Sequence, residues 1–566
     1  MSTPLTPAPA AEVVPTAPAA PASGRTGRAA RLLPAVAAVA AGALLGLSWQ
    51  PYGLWPLLLV GVPALTLLVR GLPHRRSFRL GYLFGLGLLS VTISWVHVLG
   101  VWVAALLIAF ESLFFGLLAV GLTLVLRLPA WPLAAACCWV AVEFAYSRVP
   151  FDGFGWVRLA YAAVDTPVAG FFPLIGVAGV SFVVALVGQL VAWLVLRLRR
   201  RAPAAAGRVA ERPPRGPLLV VAGALVLLVV LGTALRGFQV EPAAGRLGAV
   251  RVGIVQGNVP GRGIEALGRA RSVTNNHLAQ TVELMTKARL GQVPAPDFLL
   301  WPENSTDIDP TRDALTRLTV QSAAEVAGVP ILVGAVTQGP GADERQTTAL
   351  WWDPAAGVLA RYDKRNLVPF GEWIPFRDQL LPLVPVLAQV GAQSVPGTTP
   401  GVLDVAVAGR NVKVGDVICF ELAYDRTVYE ALTEGAQVSL VQSNNATYGG
   451  TGQIEQQFAI TRARAMESRR EIAVATTNSV SGFIDRNGRV VTRTQEFTAD
   501  DRVVTMPLRT SLTPAVRVAS WLDRGVTLLA VLACGLALVA ARSRRAHSAP
   551  VGPARAPTPT TERDPS

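Results

Sequence analysis

Lysine is the scarce charged residue of this 566-residue chain: Lys287, Lys364 and Lys413 stand beside 48 arginines. Where arginine serves for simple positive charge, a retained lysine supplies a compact ammonium with a tunable pKa that a guanidinium cannot replace. Lys287, in Met285-Thr286-Lys287-Ala288-Arg289, fits a solvated helix face, and Lys413 fits the exposed alternation of a strand. Lys364 differs. It follows a strand end in Tyr362-Asp363-Lys364 and opens a turn-rich loop reaching Gly371-Glu372, the usual place for site residues. Cys419 ends the apolar run in Val417-Ile418-Cys419-Phe420-Glu421; it is either a buried small hydrophobe or a nucleophile. Glu303 ends a third run, in Leu300-Trp301-Pro302-Glu303-Asn304. A carboxylate beside Trp and Pro at a strand mouth is desolvated, which raises its pKa toward that of a general base; the alternative is a capping or loop acid. Three strand ends carrying Glu, Lys and Cys on one α/β scaffold form a coherent set.

Other chemistries lack their parts. The chain has four histidines, and only His277 falls within residues 238–517, at a predicted helix start where it serves as a cap or faces solvent. One His and one Cys cannot make a zinc site. No Gly-x-Ser-x-Gly elbow, Walker loop or dinucleotide fingerprint occurs there either. If Cys419 is the nucleophile, its base is a carboxylate or a lysine. No cofactor and no metal is expected.

The elements that must position these residues alternate. Strand signals at 249–255, 298–301, 330–336, 412–420, 438–442 and 472–476 are interleaved with helical spacing at 277–290, 312–327, 425–434 and 453–467. Runs 348–352 and 358–362 form a hairpin around Asp353-Pro354, and 482–491 forms another with Asn487-Gly488 at its tip. This is an α/β domain whose sheets are covered by helices.

The rest of the chain is of another kind. With 51% hydrophobic and 16% charged residues the whole is far from an ordinary soluble protein, which excludes a purely cytosolic enzyme. Eight apolar blocks, at 32–50, 53–69, 80–99, 101–126, 131–147, 170–196, 217–235 and 519–541, each approach the ~20 residues that cross a bilayer. The net charge of +14 belongs to them: residues 1–237 hold 18 Arg against 6 acids, whereas 238–517 hold 27 basic residues against 28 acids. That distribution follows the positive-inside rule and excludes a nucleic-acid surface. Arginines gather after blocks two, four, six and eight, so both termini are expected in the cytoplasm and residues 238–517 on the other face. The expected division is a disordered tail 1–30, a membrane domain 31–237, a catalytic domain 238–517, an eighth span 518–541 and a second tail 542–566. Glu111, Glu143 and Asp523 lie within the spans, and Glu143 and Asp523 are near enough to span ends to reach water.

At these residues the chain resembles the nitrilase, or carbon–nitrogen hydrolase, superfamily, and in its membrane setting it resembles the bacterial apolipoprotein N-acyltransferases. The motifs are Val255-Gln256-Gly257-Asn258, Trp301-Pro302-Glu303-Asn304, Tyr362-Asp363-Lys364, Ile418-Cys419-Phe420-Glu421, Ser443-Asn444-Asn445-Ala446, Arg462-Ala463-Arg464-Ala465-Met466-Glu467, Thr476-Thr477-Asn478 and Gly153-Phe154-Gly155-Trp156. The resemblance implies an α-helical membrane bundle of about eight transmembrane helices plus an extracytoplasmic α/β, nitrilase-like α-β-β-α sandwich. It further implies Cys419 as nucleophile, Glu303 as general base and Lys364 as oxyanion stabiliser. Glu372 would orient Lys364, Glu421 would shape the pocket, and Phe154, Trp156 and Phe420 would contact lipid substrate. Phe420 stands where family members often have Tyr, keeping the ring and losing the hydroxyl. The implied reaction is ping-pong transfer from a phospholipid acyl donor to a diacylglyceryl apolipoprotein acceptor, in a monomer of the bacterial cell membrane. A membrane-tethered amidase that hydrolyses its acyl-enzyme is the alternative, and a transporter or receptor with a ligand-binding domain is the rival from another class.

Overall fold

The computed structural model describes residues 26–199, 216–242, 245–259 and 271–547. All eight apolar blocks form helices: α1 (Thr26–Gly46), α2 (Leu58–Val69), α3 (His74–Thr92), α4 (Val101–Val125), α5 (Trp131–Tyr146), α6 (Phe172–Arg199), α7 (Gly216–Leu235) and, at the far end of the chain, Pro514–His547. Among the described residues four segments are long and apolar enough to cross a membrane: Val101–Val125, Pro167–Arg199, Gly216–Leu235 and Pro514–Ser543. The outermost helices overrun the expected boundaries. The first begins at Thr26 and the last continues through Arg542, because Ala and Arg propagate a helix as readily as the apolar residues before them. The remainder of the two expected disordered tails lies outside the described residues.

Among the described residues the intervening domain contains thirteen strands in two sheets. The first sheet is built from β1 (Ala249–Gln256), β2 (Phe298–Leu300), β3 (Ile331–Gln338), β4 (Glu344–Asp353), β5 (Gly357–Asp363) and the two-residue β6 (Gln393–Ser394). The second is built from β7 (Val402–Val407), β8 (Arg410–Ile418), β9 (Val438–Ser443), β10 (Ile472–Thr476), β11 (Gly482–Ile484) and β12 (Val490–Arg493). Strand β13 (Asp500–Pro507) returns to the first sheet, antiparallel to β1. The orders are β13-β1-β2-β3-β4-β5, with β6 beside β4, and β12-β11-β10-β9-β8-β7. Both expected hairpins form, as β4–β5 and β11–β12. Strands β7 and β13, which sequence patterning does not single out, are both sheet edges, where half-exposed strands carry charged residues.

The central strands of each sheet are buried on both faces, which is why they read as continuous apolar runs. Phe298 and Leu300 of β2, Leu332 of β3, Leu440 of β9 and Ala473 of β10 point into the core between the sheets. Their neighbours Leu299, Ile331 and Val333 point outward, under α8 (Ser272–Arg289) and α9 (Ala314–Ala327). A short α10 (Arg377–Leu380) lies in the loop after β5. The second sheet turns Val417, Val441 and Val474 toward α11 (Asp425–Thr433) and α12 (Gly452–Ser468), and this layer merges with the core of the helical bundle. Helices therefore cover both faces of a two-sheet sandwich, and the second helical layer is also the seam to the bundle. The final helix, α13 (Pro514–His547), packs back against α5 and α6.

That seam is polar. Arg464 of α12 is fully buried and donates to Asp425 (2.7 Å), Glu467 (2.8 Å) and the carbonyl of Leu422 (2.9 Å). Asp425 also accepts from Arg158 of the bundle (2.7 Å), and Glu143 accepts from the backbone N–H of Leu159 (2.7 Å). Helix α6 is kinked at Gly176, whose φ of +65° is open to glycine, and Glu467 accepts the Val177 N–H at this kink (2.8 Å). Asp523 pairs with Arg148 at 2.6 Å, so neither Glu143 nor Asp523 is left to water alone. Glu111 is buried.

Candidate active site

Glu303, Lys364 and Cys419 leave the ends of β2, β5 and β8, so two come from the first sheet and one from the second. The sheets bring them to one edge of the sandwich. Gly334 on β3 makes this approach possible: a Cβ there would sit 2.1 Å from the carbonyl oxygen of Pro302. The Lys364 ammonium donates to Glu303 Oε1 and to Glu372 Oε1, both at 2.9 Å. The second oxygen of Glu303 accepts the backbone N–H of Asn444 at 2.7 Å, and that of Glu372 accepts the N–H of Val368 at 2.7 Å. Glu303 and Lys364 are 3% and 1% exposed, so this ion pair is shielded from solvent.

Cys419 departs from the strand expected to contain it. β8 stops at Ile418, and Cys419 opens the 3-10 turn Cys419–Ala423 with φ of +53°. Glu421 enforces the turn by accepting the Ile418 N–H (2.8 Å) and, from the other side, the Arg365 N–H (2.7 Å) and the Tyr362 hydroxyl (2.9 Å). It therefore stands behind the reactive residues, joining the loop of Lys364 to the turn of Cys419. The Cys419 thiol lies 3.9 Å from Asn445 Oδ1, which also accepts the Ser443 hydroxyl at 2.9 Å.

Electrostatics sort the roles. Burial, with the Glu303 carboxylate nearby, pushes the Cys419 thiol up to about 12, so at neutral pH it is protonated and needs a base. Burial opposes charge on Lys364 as well, yet Glu303, Glu372 and Cys419 together hold it well above the ordinary lysine range. At neutral pH its side chain is therefore an ammonium. Burial raises Glu303 above an ordinary glutamate despite the neighbouring Lys364 ammonium.

Three expected substrate-contacting rings, one of them the residue after Cys419, stack together. Phe420 lies 5.7 Å from both Phe154 and Trp156, with interplanar angles of 24° and 18°. Trp95 meets Trp156 at 5.7 Å and Tyr448 edge-on at 5.2 Å. Gln456 of α12 holds the wall: its carbonyl oxygen accepts both indole N–H groups (2.9 and 2.8 Å) while its amide donates to the carbonyls of Gln50 and Thr92. Sequence reading missed Trp95, Tyr448 and Gln456, whose partners lie up to 406 positions apart. Asn444 and Asn445 fell in a quoted motif without a role. His277 corrects an expectation, since it is neither a cap nor solvated. It is buried within α8 against Trp301, 5.5 Å between ring centres, and burial lowers its pKa to about 4, so it stays neutral. Lys287 is half-buried and paired with Asp501 (2.7 Å) instead of lying on a solvated face.

A two-sheet sandwich with Glu, Lys and Cys converging at its edge, docked on an apolar helical bundle, defines the class: a nitrilase-fold domain joined to helices able to span a membrane. Residues 251–517 match the carbon-nitrogen hydrolase family, and residues 41–190 match the apolipoprotein N-acyltransferase N-terminal domain. The chain belongs to the apolipoprotein N-acyltransferase family. It is 33% identical to the protein of that name from Mycolicibacterium smegmatis, across 84% of this chain and 80% of that one. Its identity to the Azotobacter vinelandii protein of the same name is 28%, across 90% and 95%. Among solved structures, a mutant of the Nesterenkonia AN1 amidase from the nitrilase superfamily matches at 17% identity with a TM-score of 0.36, covering 51% of this chain and 99% of that one.

Proposed function

We propose that this chain is an apolipoprotein N-acyltransferase that moves an acyl chain from a phospholipid, through a Cys419 thioester, to the N-terminal amine of an S-diacylglyceryl-cysteine apolipoprotein. The observation that carries the reading is the Glu303–Lys364 pair beside a thiol that is protonated at neutral pH.

In the first half-reaction Glu303 takes the thiol proton as sulfur attacks the ester carbonyl. The S–C bond forms, the ester C–O bond breaks, and the proton passes to the departing lysophospholipid oxygen. Lys364 is the preplaced cation for the oxyanion, and Glu372 orients it. In the second, the lipoprotein amine attacks the thioester, N–C forms as S–C breaks, and Glu303 relays the amine proton to the leaving thiolate. The stacked rings of Phe154, Trp156 and Phe420 form the apolar wall against which lipid substrate would lie. The reading further assigns eight crossings, both termini in the cytoplasm, and a monomer whose catalytic domain, residues 238–517, faces away from the cytoplasm between a membrane domain at 31–237 and a last span at 518–541.

Intact-mass analysis after incubation with phospholipid tests it. The wild type gains one fatty-acyl mass that neutral hydroxylamine removes, and Cys419→Ala gains none. Adding a diacylglyceryl lipopeptide with a free amine discharges the adduct into a triacylated peptide. An adduct lost equally fast to water alone would instead identify a hydrolase.

A further inference from the structure

The base and the nucleophile sit on different sheets, so the spacing of the sheets is itself a catalytic variable. Two buried glutamines fix it. In β1, Val250, Val252 and Ile254 point into the core between the sheets, and in β9 Val438 and Leu440 do the same. The next residue of the same parity is Gln256 in β1 and Gln442 in β9, where an apolar side chain would continue the pattern. Both are fully buried. Gln256, from the first sheet, crosses to the second: its carbonyl oxygen accepts the Ser481 hydroxyl (2.6 Å) and the Thr494 hydroxyl (2.8 Å), and its amide donates to the carbonyls of Gln495 and Thr498. Gln442, from the second sheet, crosses to the first and donates to the carbonyls of Trp301 (2.6 Å) and Leu332 (3.3 Å). Trp301 is two residues before Glu303, and Asn444, two residues after Gln442, donates its N–H to Glu303. Gln442 also pairs with Ile418 in the β8–β9 register, the residue before Cys419.

We infer that Gln442 is a positioning residue that bolts the strand end carrying Glu303 to the strand pair carrying Cys419, with Gln256 as its reciprocal bolt away from the reacting atoms. The inference rests on the Glu303–Cys419 roles proposed above. A hydrophobic residue of the same size at 442 would pack as well but would leave the sheets free to shift at the site.

The test is the site-resolved rate at which iodoacetamide alkylates Cys419 in the full-length, detergent-solubilised protein, followed by peptide mass across a pH series. Gln442→Met is expected to slow alkylation about 10- to 100-fold and displace its pH profile, while Gln256→Met changes the rate less than about threefold. In Gln442→Glu the protonated acid still donates to Trp301 and the ionised form repels that carbonyl, so its rate relative to wild type falls as pH rises. This variant decides the matter within one folded protein should Gln442→Met not fold. Equal slowing by Gln442→Met and Gln256→Met, or a flat Gln442→Glu ratio, would overturn the inference. Glu303→Gln separates the two levels. If it leaves alkylation unchanged, the proposed base falls; if it slows alkylation and Gln442→Met does not, only the bolt falls.

Discussion

The two helical layers of the sandwich solve the same packing problem in opposite ways. Helix α9 is amphipathic in the ordinary sense: Thr316, Val320, Ala323, Ala324 and Ala327 face the first sheet, while Leu315 and Leu318 are more than half exposed on the other side. Helix α12 has no outer side. Apart from Gly452, Glu455 and Arg462, all of its residues are buried, including Gln456, Gln457, Arg464 and Glu467. A polar helix survives burial only when each polar group meets a partner, and here many of the partners come from the bundle. In α9, polarity marks a surface; in α12 it marks an interface.

The difference is sharpest at Arg464. Arg464→Met leaves Asp425 with only Arg158 and strips Glu467 of its ion pair, an uncompensated buried charge that should cost about 3–5 kcal/mol. Arg462→Met, on the same helix but paired with the half-exposed Asp165, should cost about 0–1 kcal/mol. Chemical unfolding in detergent measures both, and equal losses would break the contrast. The seam also predicts a pH response. Burial opposes ionisation of Asp425, but Arg158 and Arg464 hold its carboxyl well below the usual range. A depressed folded-state pKa adds stability that is complete above the unfolded value of about 4 and is lost as pH falls through the folded value. Arg464→Met should therefore unfold at a higher pH than the wild type during acid titration.

Smaller effects sharpen the comparison further. Gly176→Ala sets a Cβ 2.6 Å from Glu467 Oε1 at a left-handed backbone position, and about 1–3 kcal/mol of stability should be lost. On the other layer, Asp313 caps α9 by accepting the Thr316 N–H at 2.8 Å. Asp313→Ala should cost about 1 kcal/mol, and Leu315→Ser should stay within about 0.5 kcal/mol of the wild type. Thermal unfolding of these three variants ranks the two layers.

Much of the site was legible because its residues break local expectation. A lysine in an arginine-rich chain, an acid after Trp-Pro and a thiol at a strand end can each be noticed one at a time. The strands that carry them were legible for the same reason that the sheets are buried: long apolar runs need no knowledge of partners. What escaped was whatever depended on a distant partner or on a weak edge. β7 and β13 carry charges because one side of each is unpaired. Glu421 was expected to shape the pocket, and its position behind the turn follows from its bonds to Tyr362 and Arg365, fifty or more positions away in sequence. Gln456 looks like any polar helix residue until Trp95 and Trp156 are placed beside it. His277 was misjudged because a helix that starts at Ser272 puts it a full turn inside, facing Trp301.

The turn that presents Cys419 also restricts what evolution can place there. At φ of +53° a β-branched side chain is strained, so threonine and valine are disfavoured by conformation before their reactivity matters. Serine fits the turn but offers an alcohol, far harder to ionise than a thiol and a poorer leaving group for the proposed second half-reaction. The backbone thus favours unbranched residues, and under the proposed mechanism cysteine is the one among them suited both to attack an ester and to depart from the resulting adduct. On the proposed chemistry, exchange of Cys419 for serine would therefore keep the turn and lose the transfer.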